Sequence, residues 1–343
     1  MSMRKKRIGV LGCARILDRA LFTPLKSLEP LSVHAIASRT KPKAESYAEK
    51  YGIPRAFGGY EELLACGEID FVYIALSNEL HAEWAIRALQ AGKPVLVEKP
   101  ICLNTEELRR LMDAQAASGL PVLEGLMVQH HPWQSEIKRM VDRNAYGGLL
   151  EVRSQISVPF RDPERQNYRS FPERGGGAFY DFGCYWLQFL QAVLGLEPAG
   201  CDAESDFAGP GGCDWTFRAS LDYAGGVRAE LVASFELPMI SRHTLEFEHA
   251  VVTVDDFFRA SLGTHRMTIR VRDKQSGAVE KLAFEPQNYF VNQLAFFSGV
   301  LDGTKSNVPL AQSYERMAVH ERLLTLARAK LPGYPPASGE PLT

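Results

Sequence analysis

Three stretches of this 343-residue chain have the residue types and spacing to do chemistry. The first is Val95-Leu96-Val97-Glu98-Lys99-Pro100, an apolar, β-branched run that ends in a carboxylate, an amine and a proline. Read as a buried strand, it delivers Lys99 to the carboxyl edge of a sheet, where open α/β folds bind ligands. Pro100 fixes φ and removes an N–H, so the lysine sits on a rigid turn. The second stretch is Gly175-Gly176-Gly177-Ala178-Phe179-Tyr180-Asp181-Phe182-Gly183-Cys184-Tyr185. Three glycines let the backbone turn tightly at a helix start. Asp181, Tyr185 and Gln188 then fall at i, i+4 and i+7 on one helix face. A carboxylate and a phenol so aligned can act as a hydrogen-bonding and acid/base pair. They read equally well as a helix-dipole partner and a half-buried core tyrosine. The third is Gly12-Cys13-Ala14-Arg15-Ile16-Leu17, a degraded glycine fingerprint after the first strand. Gly12 takes the tight turn, Ala14 the second position and Leu17 the third. Such a turn brings backbone close to a pyrophosphate at a helix N-terminus, although a plain strand-to-helix turn looks the same.

The elements that must position these groups follow from periodicity. Buried strands are predicted at 7–11, 32–38, 70–76, 95–98 and 121–127. Helices are predicted between them, from the Gly12 turn to about 28 and at 42–51, 80–91 and 104–117, with Asn104 and Glu107 at capping-box spacing. This alternation implies a parallel sheet with helices on both faces. The second strand ends in Ser38-Arg39-Thr40, followed by Lys43, with no acid. In a dinucleotide-binding unit an acid at that place holds the 2′-hydroxyl of NAD, and an arginine accommodates the 2′-phosphate of NADP. Ser38, Arg39 and Lys43 therefore point to NADP, with NAD as the lesser option. His81, near its helix start, is placed to meet a nicotinamide ribose or to act as a cap. His130 and His131 point opposite ways in an extended stretch and lack a second ligand pair, so no metal site is expected.

After about residue 128 the pattern changes. One amphipathic helix at 133–144 precedes period-2 segments at 149–158, 215–223, 227–235, 242–247, 251–254, 266–271 and 279–284. Tyr223-Ala224-Gly225-Gly226-Val227 is a hairpin turn. The expected fold is α/β: a dinucleotide-binding domain at 1–127 with a parallel sheet, then an α+β domain at 128–343 on a large, mainly antiparallel open sheet. A terminal helix at 311–330 is expected to pack back on the first domain. Large side chains alternating along strands such as 215–223 suggest a sheet face covered in a homodimer or homotetramer.

Composition bounds the partners. The chain is 45% hydrophobic and 23% charged with a formal net charge of -2, which argues against a nucleic-acid surface. No apolar run approaches a membrane span, and the basic run at 4–7 leads straight into a strand. The six cysteines show no CxxC and read as reduced thiols of a cytoplasmic protein.

Together the IGVLGCARI turn, ASR after the second strand, YIALSNELH, VLVEKP and GGGAFYDFGCY resemble the Gfo/Idh/MocA family of NAD(P)-dependent oxidoreductases, over nearly the whole chain. The resemblance implies a Rossmann domain plus an α/β domain whose open sheet often forms the subunit interface. It implies that Gly12, Ala14, Arg15, Ile16, Leu76, Ser77, Asn78, His81, Glu98, Lys99 and Arg169 lie along the cofactor. It also implies that Lys99, Tyr185 and Asp181 meet the substrate. Many members have histidine where this chain has Tyr185. The tyrosine points to the branch resembling glucose–fructose oxidoreductase, D-xylose dehydrogenase, dihydrodiol dehydrogenase and nucleotide-sugar 3-ketoreductases. Asn167-Tyr168-Arg169 looks like that branch's Asn-Trp-Arg. The implied activity is reversible hydride transfer between NADP(H) and a secondary alcohol or ketone, most naturally of a carbohydrate. Arg153, Arg161 and Arg165 are candidate substrate contacts, although a solvated-surface role is the stronger reading for each. Oxidation of a small cyclic diol, or a non-catalytic sugar- or NADP-sensing regulator, are the rival readings.

Overall fold

Six short strands build the first sheet: β1 (Lys6–Leu11), β2 (Leu31–Ala37), β3 (Arg55–Phe57), β4 (Phe71–Ile74), β5 (Val95–Glu98) and β6 (Val122–Gly125). All pair in parallel, in the order β3-β2-β1-β4-β5-β6. The central strands β1, β4 and β5 are buried along their apolar runs, as expected of a sheet covered on both faces. In this computed structural model, residues 5–160 and 167–333 are described; Arg161 and Arg165 lie outside them. The chain divides into two compact units. The first comprises residues 1–131, 259–265 and 286–314; the second comprises 132–258, 266–285 and 315–343.

This division corrects the contiguous bounds 1–127 and 128–343. The first unit takes back a helix, Tyr289–Leu301, that the sequence did not suggest. Its sequence YFVNQLAFFSGVL is apolar nearly all round, so no 3.6-residue stripe stands out. Phe297 packs edge-on against Phe71 of β4, and Lys6 at the start of β1 bonds Ser298 and Asp302. The terminal helix, Leu310–Ala329, is divided between the units: Ser313 bonds Glu124 and Tyr314 bonds Arg109 within the first, and the rest belongs to the second.

Two further expectations change. The helix after Gly12 does not start at the fingerprint. Residues Gly12 to Ile16 form a loop, followed by a π-helical turn, Asp18–Phe22, and a short α-helix, Thr23–Leu25. Thr23 N–H bonds the Asp18 carbonyl five residues back, and Pro24 then has no N–H to carry on an α-ladder. Strand β3 was not expected either, because three residues are too few to show a period.

The second unit is built on eight strands. These are β7 (Leu149–Ser157), β8 (Gly200–Glu204), β9 (Thr216–Asp222), β10 (Arg228–Ser234), β11 (Ile240–Phe247), β12 (Ala250–Asp255), β13 (Thr268–Asp273) and β14 (Val279–Ala283). Their order is β14-β13-β12-β11-β7-β10-β9-β8, with only the β7–β10 pair parallel. Strand β8 is an edge strand that the sequence reading missed. Gly225 and Gly226, both at positive φ, close the β9–β10 hairpin.

One face of this sheet buries Val152, Ile156, Phe217, Leu221, Leu231 and Leu245, with the helices Pro132–Asp142 and Ala178–Val193 belonging to the same unit. Trp133, Phe189, His243 and Phe257 stack there in the core. The other face is charged rather than apolar. Arg153 bridges Glu151 and Glu246, Arg228 bridges Asp222 and Glu230, and Asp255 takes both Arg242 and Arg270. The expectation of large side chains on an open face is thereby corrected: the large residues of β9 point inward, and arginines and acids stand outside.

Candidate active site

In the first unit the site begins at Gly12. Its φ of +103° suits glycine, and a Cβ there would lie 2.2 Å from the Ala75 carbonyl oxygen and 3.0 Å from Leu76 Cδ2. Only a residue without a side chain lets the β1 turn pass this close to the end of β4. Ala14 and Ile16 are half-buried and Arg15 is exposed. Ser38 is buried at the end of β2, while Arg39 and Lys43 stand exposed beside it. Cys13 reaches the Lys43 carbonyl. Burial raises the Cys13 thiol pKa, against Lys43 and Ser38, which lower it.

Beyond the end of β4 come Leu76, Ser77, whose hydroxyl bonds Glu79 at 2.8 Å, and the buried Asn78. The Glu98–Pro100 turn is tied down by three polar groups. The Tyr73 hydroxyl donates to Glu98. The Glu124 carboxylate on β6 accepts from Ile101 N–H at 3.2 Å and from the Ser313 hydroxyl at 2.8 Å. The His81 ring lies 2.7 Å from the Pro100 carbonyl through Nδ1 and 3.2 Å from the Leu76 carbonyl through Nε2. The Lys99–Pro100 peptide is cis. Burial pushes the Glu98 carboxyl above its ordinary range, against Tyr73 and Lys99. Burial, helped by the Lys99 charge, holds the His81 imidazole below its ordinary range.

Both ring nitrogens of His81 lie against backbone carbonyls and the residue is 1% exposed; in the neutral ring the single N–H donates to one of them, Pro100 or Leu76. Tyr73 and Glu124 were missed. Nothing in their strand sequences marks them, because only the pairing of β4, β5 and β6 brings them to the turn.

In the second unit the candidate residues Asp181 and Tyr185 stand on the Ala178–Val193 helix. Its start is crowded. A Cβ on Gly176 would meet the Arg169 carbonyl at 2.6 Å, and one on Gly177 would meet Asp214 Oδ1 at 2.0 Å. Asp214, another residue the sequence did not point to, caps this helix from a distant loop: Phe179 N–H bonds its carboxylate at 2.7 Å and Ala178 N–H its carbonyl at 2.9 Å.

Asp181 and Tyr185 are buried one turn apart, as the spacing predicts. Asp181 takes a forked ion pair from Arg169, Nε–Oδ2 2.8 Å and Nη2–Oδ1 3.3 Å. Arg169 also lies over the Tyr168 ring, and Asn167 caps its N–H. Burial opposes the Arg169 charge, but Asp181, Tyr168 and Tyr185 together raise its pKa. Two of the five guanidinium N–H groups go to Asp181. Tyr185 meets the Phe258 ring edge-on. Gln188 exchanges two hydrogen bonds with Gln134, at 2.9 and 3.0 Å, so it belongs to the helix packing. Arg153 belongs to the charged sheet face described above. Among the described residues no group of three or more His, Cys, Asp or Glu side chains is arranged to hold a metal ion, and no helix is long and apolar enough to cross a membrane.

The comparisons agree with this two-part layout. Residues 6–126 match the "Oxidoreductase family, NAD-binding Rossmann fold", and residues 135–250 match the "GFO/IDH/MocA C-terminal domain". The dTDP-3,4-didehydro-2,6-dideoxy-alpha-D-glucose 3-reductase of Streptomyces violaceoruber is 32% identical over 82% of this chain and 81% of its own length. A D-xylose 1-dehydrogenase (NADP(+)) of Haloferax volcanii is 33% identical over 67% of this chain and 70% of its own. Among solved structures, a tyrosine-to-phenylalanine mutant of a 3-ketoreductase from Actinomadura kijaniata, in complex with TDP-benzene and NADP, superposes with a TM-score of 0.85 at 26% identity. It covers 94% of this chain and 98% of its own.

The cap at Asp214 has a pH consequence. Burial raises its pKa to about 7, despite the N–H groups of Phe179 and Ala178. An acid whose folded pKa lies above its unfolded value of about 3.9 contributes stability that is complete below that value and lost as pH rises through the folded pKa. Asp214 should therefore subtract stability between about pH 4 and pH 7 by an amount on the order of a few kcal/mol, while His130, His131, His243 and His320, whose pKa values burial lowers, add stability over the same rise. The effect of Asp214 is read as a difference: Asp214→Asn, which keeps an acceptor for Phe179, should gain stability relative to the parent across that window in urea titrations. Identical pH dependence in the two proteins would refute the assignment.

Proposed function

The chain belongs to the GFO/IDH/MocA oxidoreductases, and from that premise we propose that it transfers hydride reversibly between NADP(H) and a secondary alcohol or ketone on a sugar-like ring. The observation that carries this reading is the edge of the first sheet. It holds a lysine on a turn clamped by buried polar groups. Just past the end of β2 the chain carries the buried Ser38, then the exposed Arg39 and, in the helix Lys41–Tyr51, the exposed Lys43, with no carboxylate between residues 38 and 43. Two cations and a hydroxyl form a donor set that fits a phosphate dianion. The named activities of the relatives, a nucleotide-sugar 3-reductase and a D-xylose dehydrogenase, support a carbohydrate substrate.

When bound, the nicotinamide supplies or accepts the hydride. The chain's own residues handle the proton and the charge. In the reducing direction negative charge grows on the carbonyl oxygen. The Tyr185 hydroxyl gives that oxygen a proton, and the Lys99 ammonium stabilises it. In the oxidising direction the Tyr185 phenolate takes the proton from the alcohol. Gly12, Ala14, Arg15 and Ile16 hold the pyrophosphate, and Leu76, Ser77, Asn78 and Glu98 line the path toward the nicotinamide.

Cofactor choice tests the first half of the reading. Titration should give tighter binding of NADPH than of NADH, and Arg39→Ala should erase most of the difference. Equal affinities in the parent would defeat the NADP assignment.

The proton donor tests the second half. Tyr185→Phe removes only a hydroxyl, so NADPH binding should stay nearly intact while turnover falls by about a hundredfold to ten-thousandfold. Lys99→Ala should lose at least as much, and the double variant should be little worse than the worse single, since groups acting as a unit are non-additive. A Tyr185→Phe enzyme with near-parental turnover would rule the mechanism out.

We also propose a homodimer or homotetramer formed through the charged face of the second sheet. Arginines and acids alternate there across neighbouring strands. A two-fold copy can match such a pattern with its own. Because exposed ion pairs are screened, assembly should weaken when salt rises from roughly 0.05 to 1 M. Light scattering that finds only monomer at micromolar concentration in low salt would count against this interface.

A further inference from the structure

Asp181 and Tyr185 stand one turn apart on the same face of the Ala178–Val193 helix. Arg169 adds a cation to that face. Its forked pair with Asp181, 2.8 and 3.3 Å, fixes the plane of the guanidinium. Its backbone is fixed as well: Arg169 N–H bonds the Asn167 side chain, and the Arg169 carbonyl accepts from Gly177 N–H at 3.0 Å, immediately before the helix. Gly176 leaves no room for a side chain against that same carbonyl. The arginine is thus tied at both ends to the helix that carries the tyrosine.

We propose that Arg169 and Asp181 together set the proton affinity of Tyr185. This rests on the reading of Tyr185 as the proton donor, and it assigns Arg169 and Asp181 as positioning residues that act through that phenol. The physics is direct. A free phenol titrates near 10. Burial of Tyr185, which is 7% exposed, disfavours the phenolate further. A fixed guanidinium nearby favours it, and a carboxylate nearby opposes it. Tyr185 is among the groups that favour the Arg169 cation, behind Asp181 and Tyr168. Asp181 is one turn away on the same helix face, Arg169 pairs with Asp181 and lies over the Tyr168 ring, and Phe258 meets the Tyr185 ring edge-on. The carboxylate therefore does two things: it holds the guanidinium in place, and it partly offsets its charge.

The two members of the ion pair should thus act on Tyr185 with opposite signs, which a merely structural pair would not do. The full chain is labelled with ζ-13C tyrosine, and the Tyr185 resonance is identified by its absence in Tyr185→Phe. Its midpoint is then followed by NMR as pH rises. Arg169→Met should raise the midpoint by about one unit or more, because the carboxylate is left alone beside the phenol. Asp181→Asn should lower it. Arg169→Lys, which keeps the charge, should stay closer to the parent than Arg169→Met does. If Arg169→Met does not fold, the double variant Arg169→Met/Asp181→Asn buries no unpaired charge and should titrate above Asp181→Asn alone. Shifts of the same sign in the two single variants, or no shift in any of them, would overturn the proposal. The readout needs no turnover, so its failure is separable from failure of the proton-donor reading, which the Tyr185→Phe rate decides.

Discussion

The Glu98–Pro100 turn depends on buried polar groups that arrive from three other elements. An unpaired polar group in such a place costs more than a made hydrogen bond returns. Tyr73, His81 and Glu124 therefore specify one position for the turn rather than merely adding stability. Each comes from a neighbour in the sheet order or from the helix that follows β4, so the pairing of β4, β5 and β6 is what assembles the clamp. Lys99 inherits its place from that assembly. Its charge acts back on the same groups, favouring ionised Glu98 and disfavouring protonated His81.

The second unit solves the same problem by another route. Its helix is buried almost throughout, and a buried helix start leaves N–H groups that need acceptors. The local sequence Gly175-Gly176-Gly177 offers none from a side chain. Asp214 supplies a carboxylate and a carbonyl from a distant loop, and the absence of a Cβ on Gly177 is what lets it approach. The glycines thus serve close approach of protein to protein at this helix start. The backbone positions of Asp181 and Tyr185 follow from that contact, because they lie in the first two turns beyond it.

Much of this was legible in the sequence, and the parts that were not share a cause. Local periodicity marked the parallel strands, the Asn104 cap with its 2.8 Å bond from Glu107 N–H, the hairpin at Gly225 and the alignment of Asp181 with Tyr185. Family resemblance is what suggests a catalytic role for Lys99 and Tyr185. What stayed hidden was set by long-range pairing. Glu124 and Tyr73 look like ordinary strand residues, and Asp214 is a lone acid in a loop. The Tyr289–Leu301 helix has too little polar surface to show a stripe, so its return to the first unit left no periodic trace. His81 was visible as a residue but not as a ring lying against two carbonyls, because Pro100 is nineteen residues away from it.

The tyrosine at position 185 also changes what the surrounding residues must supply. An imidazole titrates near neutral pH unaided, whereas a phenol near 10 does not. Burial widens that gap, since it penalises the phenolate. A chain that uses a buried phenol for proton transfer therefore needs positive charge held close to it, and a mobile surface lysine loses much of its effect to solvent. A guanidinium suits the task better within this unit. It stays charged when buried, and its planar fork accepts a carboxylate partner that fixes its orientation. Arg169 has that partner in Asp181 and has its own backbone bonded to the helix start. On the proposed reading of Tyr185 as the proton donor, the loop from Asn167 to Gly177 and the acid at the head of the helix act as one electrostatic device.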